Sequence, residues 1–564
     1  SFPLVWGTSC EWMWSMRVKS DKSNGLSTGP IKSVLACVAA VVAWNVVASF
    51  VPTVSFLAPL VPVAYAQNAY AEAQRAFQAR DYFNSARLFY SLSIASSGDT
   101  RAKAEFGLAE SLKKAGFPYG GAYFYSRIVA QGTKNDFFRF GLDNLGDLNT
   151  RSPLGRAAIG GIFGTKIDPL QVPPGARGFY FFYKGLEAFD SGGAAAGLGG
   201  GASGMQSVAR AKSEFERVPS GNPYYPRAQY YLGVIYAVMK DSDGALGAFS
   251  RVVRTSTSDS LRQLATMGLA RVYYERKDYR RAFSYYSQIP RDSDLWLETL
   301  FEGAWAFFMI QKHNNSLGNN HTIHSPFFVN RFYPETYILN AITYLRLCRY
   351  QALRDQLRKF QERYKPTFAD LNNLLKKYQG NPEAFYSVIA RYRATGRLGE
   401  NTAATEVIDA VSRSDAFKEA AAVVRGMERE AAQLRGQGAR WEMSGLADVL
   451  RVSYENRRKA TIRTAGEILF SQAVQQFRYL RDLSDQTRLI NLEMLSGRTD
   501  QLRARFNPEN QGSDGTSWGE GMKPLNVKSE IEYWPFEGEY WEDELGGYVY
   551  NIDSKCAVAT SAKK

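Results

Sequence analysis

The side chains best equipped for chemistry in this 564-residue chain sit in one short stretch. All three histidines, His313, His321 and His324, fall there, and His321 and His324 at i, i+3 could share a helix face and bind zinc with Glu335. The opposing reading, which the Asn-rich flanks and Pro326 favour, is a loop whose imidazoles cap helices or donate to carbonyls. Of the four cysteines, Cys348 and Cys556 lie beyond the N-terminal segment described below. An oxidising compartment would let them pair and tie the C-terminal tail to the last helix pair; otherwise one thiol is buried and the other exposed. Paired carboxylates such as Glu542 and Glu544 stand in a generally acidic tract, and Ser-His-Asp chemistry would have to borrow from residues 313–324. The glycine tract from Ser191 to Gly204 imitates a phosphate loop but lacks a preceding strand and a following Lys-Ser/Thr, so it reads as an inter-helix insertion. Nothing nominates a catalytic group or a cofactor, and the chain reads as a non-enzyme.

The elements that position these residues are helices. Gly233, Tyr236, Ala245 and Phe249 recur as Ala270, Tyr273, Ala282 and Tyr286, 37 residues later, with Leu232 and Leu269 before each small residue. Small residues let paired helices approach, and aromatics fill the wedge between stacked pairs. The pattern resembles the tetratricopeptide repeat, which implies an all-α, helical-hairpin solenoid over residues 67–375. Other angles of the same helices place Tyr230, Val234, Met267, Arg271 and Tyr274 either in a concave, partner-binding groove or against a neighbouring repeat or the protein's own tail. Pro366 is expected to close the run.

The N-terminal 66 residues read as a targeting segment. Residues 33–66 carry no charge, follow Arg17, Lys19, Lys22 and Lys32, and end on Ala64-Tyr65-Ala66; residues 1–15 look like a mis-called start before Met16. A retained anchor is the alternative. The protein is therefore expected to be exported, periplasmic or envelope-associated. Its net charge of +14 then suits anionic envelope polymers or acidic protein faces, and no motif supports nucleic-acid binding.

Residues 376–505 read as long helices with Leu469, Ala473, Leu480, Leu483, Ile490 and Met494 in 3- and 4-residue steps interrupted by Gln476 and Thr487, either a hairpin capping the solenoid or a coiled-coil dimer. Residues 506–564 read as a loop-rich tail. Between Glu530 and Glu544 it holds seven acidic residues among Tyr533, Trp534, Phe536, Tyr540 and Trp541, an aromatic content that predicts docking on the basic remainder. The strings LGNNHTIHSPFF, YPETYILNAITYLRLCRY and YWPFEGEYWEDELGGYVYNIDSKC resemble exported tetratricopeptide proteins of gliding and predatory Gram-negative bacteria. That resemblance implies a non-enzymatic envelope scaffold, some relatives belonging to gliding-motility machinery. Trp534, Phe536, Tyr540 and Trp541 join the groove residues as candidate partner contacts. A peptidoglycan-binding protein is the alternative. Oligomeric state is open.

Overall fold

A computed structural model describes residues 63–155, 167–191, 202–399, 402–506 and 538–556. Most of the charge-free N-terminal run, residues 192–201 of the glycine tract, Trp534 and Phe536 lie outside them. The described residues are helical, without strands. They fall into two units, one holding 142–430 and 454–556, the other 63–141 and 431–453.

In the smaller unit α1 (Val63–Gln78), α2 (Tyr82–Ala95), α3 (Gly98–Lys114) and α4 (Pro118–Ala130) pack as sequential neighbours. A Cβ on Gly107 would lie 2.7 Å from the Phe89 ring, so only glycine lets α3 seat on α2 there. Trp441, from the short α19 (Ala439–Glu442), stacks on Phe117 and meets Phe83 edge-on.

The larger unit continues with α5 (Phe138–Arg151), α6 (Arg177–Ser191), α7 (Ala202–Glu216), α8 (Tyr225–Val238), α9 (Ser242–Thr255), α10 (Asp259–Glu275), α11 (Tyr279–Tyr286), α12 (Trp296–Met309), α13 (His313–Ile323), α14 (Glu335–Arg346) and α15 (Tyr350–Tyr378). Its hairpins share one turn. Lys240, Lys277, Gln311 and Cys348 each take a left-handed φ between 50° and 64°, which reverses the chain between the first and second helix of a pair. Asp241 and Asp278 follow two of these residues and cap the next helix, accepting from the amides of Gly244 and Arg281. Phe249 shows why the small residues recur: a Cβ on Gly233 of its own hairpin would lie 2.6 Å from its ring, and one on Gly268 of the next hairpin 2.7 Å. Ala245, Ala270 and Ala282 are fully buried, as are Leu232, Leu269, Phe249 and Tyr286. Tyr236 reaches Glu216 and Tyr273 stacks on Tyr285.

Three expectations need correction. Residues 313–323 are a helix, not a loop, because Ser316 and Asn320 are buried at positions where earlier hairpins carry Ala245 and Phe249. Asn320 donates to Asn340 at 2.8 Å, so a polar pair replaces the usual apolar one. Pro366 does not end its helix; α15 runs through it, held by buried Tyr364, Thr367 and Leu371 on either side. The stripe offered to a coiled-coil partner is already occupied. After α16 (Pro382–Thr395), α17 (Thr405–Ser412) and α18 (Asp415–Arg435), the 61-residue α20 (Leu446–Phe506) buries Leu469 and Ala473 among α15–α18. It buries Leu480, Leu483, Ile490 and Met494 against Leu353, Leu357 and Phe360. Gly466 and Gly497 permit the close approach, meeting the Pro382 carbonyl and the Tyr350 hydroxyl.

Candidate functional site

The residues assigned to an open groove are not on one. Tyr230, Val234 and Met267 are buried, Tyr274 is half-buried against Tyr279, and Asp415 in the first turn of α18 lies close enough to Tyr230 to act on its phenol. Burial, with Asp415 adding, pushes the Tyr230 phenol up to about 12, and Lys418 Nζ of α18 lies 3.7 Å from Asp294. Helical angle alone gives the face a residue points to; it does not reveal that parts of the chain beyond a local window bury that face. Arg271 bridges α10 to α12 instead of awaiting a ligand. Its Nε donates to both oxygens of Glu302 at 2.9 and 3.0 Å, and its Nη2 also reaches Glu298 at 3.4 Å. Burial pulls the Arg271 guanidinium down, but the two carboxylates more than offset it. Burial and then the Glu302 charge hold Glu298 above the usual carboxylate range.

The surface that does hold a peptide is the outer side of α13, the second helix of its hairpin. After a turn at 542–547, residues 548–552 run antiparallel along it as a strap that continues to Cys556 past the end of α14. Gly546 N donates to Thr322 Oγ1 at 2.9 Å, and Tyr550 N to the Asn314 carbonyl at 3.1 Å. The Asn314 side chain grips Ile552 at both ends, Nδ2 donating to its carbonyl and Oδ1 accepting from its amide, each at 3.3 Å. Between these anchors the Tyr548 carbonyl crosses Gly318, where a Cβ would come within 1.7 Å of it. Beyond them Arg349 Nε donates to the Asp553 carbonyl and Lys555 N to the Leu347 carbonyl, both at 2.8 Å. Cys348 and Cys556 form a disulfide there, with Cα atoms 5.0 Å apart.

The docking uses little of the opposed charge that motivated it. Side chains of α13 and its neighbours hold the strap's main chain, and Arg291 donates to the carbonyl of Asp543 rather than to its carboxylate. Glu539, Glu542 and Asp543 are exposed. Of the two described aromatic candidates, Tyr540 stacks on His321 at 5.0 Å, whereas Trp541 is 60% exposed.

The histidines do not converge as ligands. His321 stands among Tyr540, Tyr548 and Tyr550, whose hydroxyl lies 3.2 Å from its Nδ1; burial, then the charge of Lys359, lowers its pKa. His324 is stacked on Tyr337 at 4.2 Å with Nε2 2.7 Å from Thr336 Oγ1, and burial foremost pushes it down to about 3. His313 packs on Phe308 with Nδ1 buried and unpaired. Glu335, the expected third ligand beside His321 and His324, is buried and accepts from Tyr479 at 2.6 Å. Among the described residues no group of three or more His, Cys, Asp or Glu is placed to hold a metal ion.

Asn314, Gly318, Thr322 and Arg349 are the functional residues that sequence reasoning passed over. Their signal was present: Asn314, Gly318 and Thr322 stand at i, i+4, i+8, a polar, small-centred helix stripe. Also passed over are two Gly-x-Ser-x-Gly strings, Gly25–Gly29 and Gly515–Gly519; both lie outside the described residues. Among the described residues no helix is long and apolar enough to cross a membrane. The chain matches no protein-family model, and no curated protein matches it.

Proposed function

We propose that this protein is an exported, tetratricopeptide-like scaffold of a bacterial cell-envelope complex, joining other envelope proteins by surface contact rather than transforming a substrate. The observation that carries the reading is the stack of helical hairpins on which an extended segment is already held through backbone contacts. Support for the repeat type comes from the four left-handed turn residues in matching register and from alanine–aromatic pairs in the second helices. The charge-free residues 33–66 and the Cys348–Cys556 disulfide suit an oxidising compartment outside the cytoplasm. Membership of gliding-motility machinery is the narrower form of the proposal and rests on the sequence resemblance alone.

The test is crosslinking in the native cells with photoreactive residues at exposed positions, alongside fractionation. The expected result is discrete adducts with a small set of envelope proteins in a periplasmic or membrane fraction. Cytoplasmic fractionation, or adducts no different from those of an unrelated exported protein, would overturn it. Co-sedimentation with purified cell wall but no protein adducts would favour the peptidoglycan-binding alternative.

A further inference from the structure

We propose that the strap is a displaceable ligand of its own chain. The α13 face centred on Gly318 is a binding site for an extended peptide carrying tyrosines two residues apart, closed in the oxidised protein and opened when Cys348–Cys556 is reduced. The inference takes from the scaffold reading only the supply of such a partner.

Three observations carry it. The contacts on α13 read main chain: Asn314 engages both the amide and the carbonyl of Ile552 and its own carbonyl accepts from the Tyr550 amide, while Thr322 accepts from the Gly546 amide at the turn that leads into the strap. Gly318 leaves just the width of a main chain above the helix. Specificity comes from the rings around His321, which Tyr548 and Tyr550 approach edge-on from alternate positions.

The strap is also shallowly seated, with Tyr550 and Ile552 packed only part-buried on the cluster that includes Leu317 and Tyr344. Among residues 538–556 only Leu545 is buried, while Val549 is 44% exposed. Such a segment stays bound chiefly because the disulfide keeps its local concentration high. Cys348 and Cys556 are both half-exposed, within reach of a dithiol reductant. One reductant thiolate attacks a cystine sulfur and forms a mixed disulfide; its second thiol displaces the protein sulfur. Two electrons and two protons thus pass to the chain as two thiols, and the reductant leaves as its own disulfide.

The experiment titrates the full chain, oxidised or held in dithiothreitol, into a fluorescein-labelled peptide spanning Tyr540 to Ser554 and reads anisotropy. Saturable binding to the reduced chain is expected, weaker by at least about tenfold for the oxidised chain. Gly318→Val should abolish binding to the reduced chain. Asn314→Ala, which adds no bulk and guards against a folding defect, should weaken it by about tenfold. No saturable binding to the reduced chain, equal binding to both forms, or unchanged binding by both variants would overturn the proposal. A failed titration leaves envelope crosslinks through other faces intact, whereas a positive titration without crosslinks keeps the site and removes the scaffold.

Discussion

A buried ion pair and a half-buried imidazole set the sharpest expectations at single residues. Arg271→Ala strands Glu302, which is 3% exposed, and should cost about 3–5 kcal/mol in urea unfolding. Replacing Arg271 and Glu302 together by methionine should recover most of that loss, since no charge is then left buried. His324 gives a pH dependence with a definite sign. Its folded-state pKa of about 3 lies below the ordinary value near 6.5. Its contribution is therefore fully present above about pH 6.5 and lost as pH falls toward 3, at up to about 1.4 kcal/mol per unit. His324→Phe should flatten the urea midpoint against pH over that window. An unchanged slope would show that the imidazole titrates freely.

At the level of elements, the hairpins were legible wherever packing follows residue size. Gly233, Ala270, Ala245 and Phe249 announced their contacts by type and spacing, because a ring lodged between two glycines leaves few alternatives. Phe249→Ala should accordingly cost about 3–5 kcal/mol, measurable as a lower thermal or urea midpoint. Legibility failed where a polar pair does the work of an apolar one. Ser316 and Asn320 look like loop residues until Asn340 supplies the partner, and that partner lies in the next hairpin, beyond any local window. Pro366 misled for a related reason: its local penalty is real, but buried neighbours on both sides outweigh it. Of the two readings open for the groove residues, packing is the one met, and helical angle could not decide it because Tyr230, Val234 and Met267 are buried by parts of the chain that a local window does not reach.

For the whole molecule, the separate fates of the two units' contacts matter less than the bond joining positions 208 residues apart. A loop of that size confines the unfolded chain enough to contribute up to about 5 kcal/mol in the chain-entropy model. Reduction should therefore lower the urea midpoint of the wild type and leave a Cys348→Ser, Cys556→Ser variant unmoved. The tail's docking was legible in its aromatics, yet its basis was not: charge suggested the match, and main-chain hydrogen bonds along α13 make it. The same bond makes residues 348–556 a covalent macrocycle. One protease nick anywhere inside that ring opens it without releasing a piece. A cut chain would still travel at full mass until a thiol is added, when two fragments part.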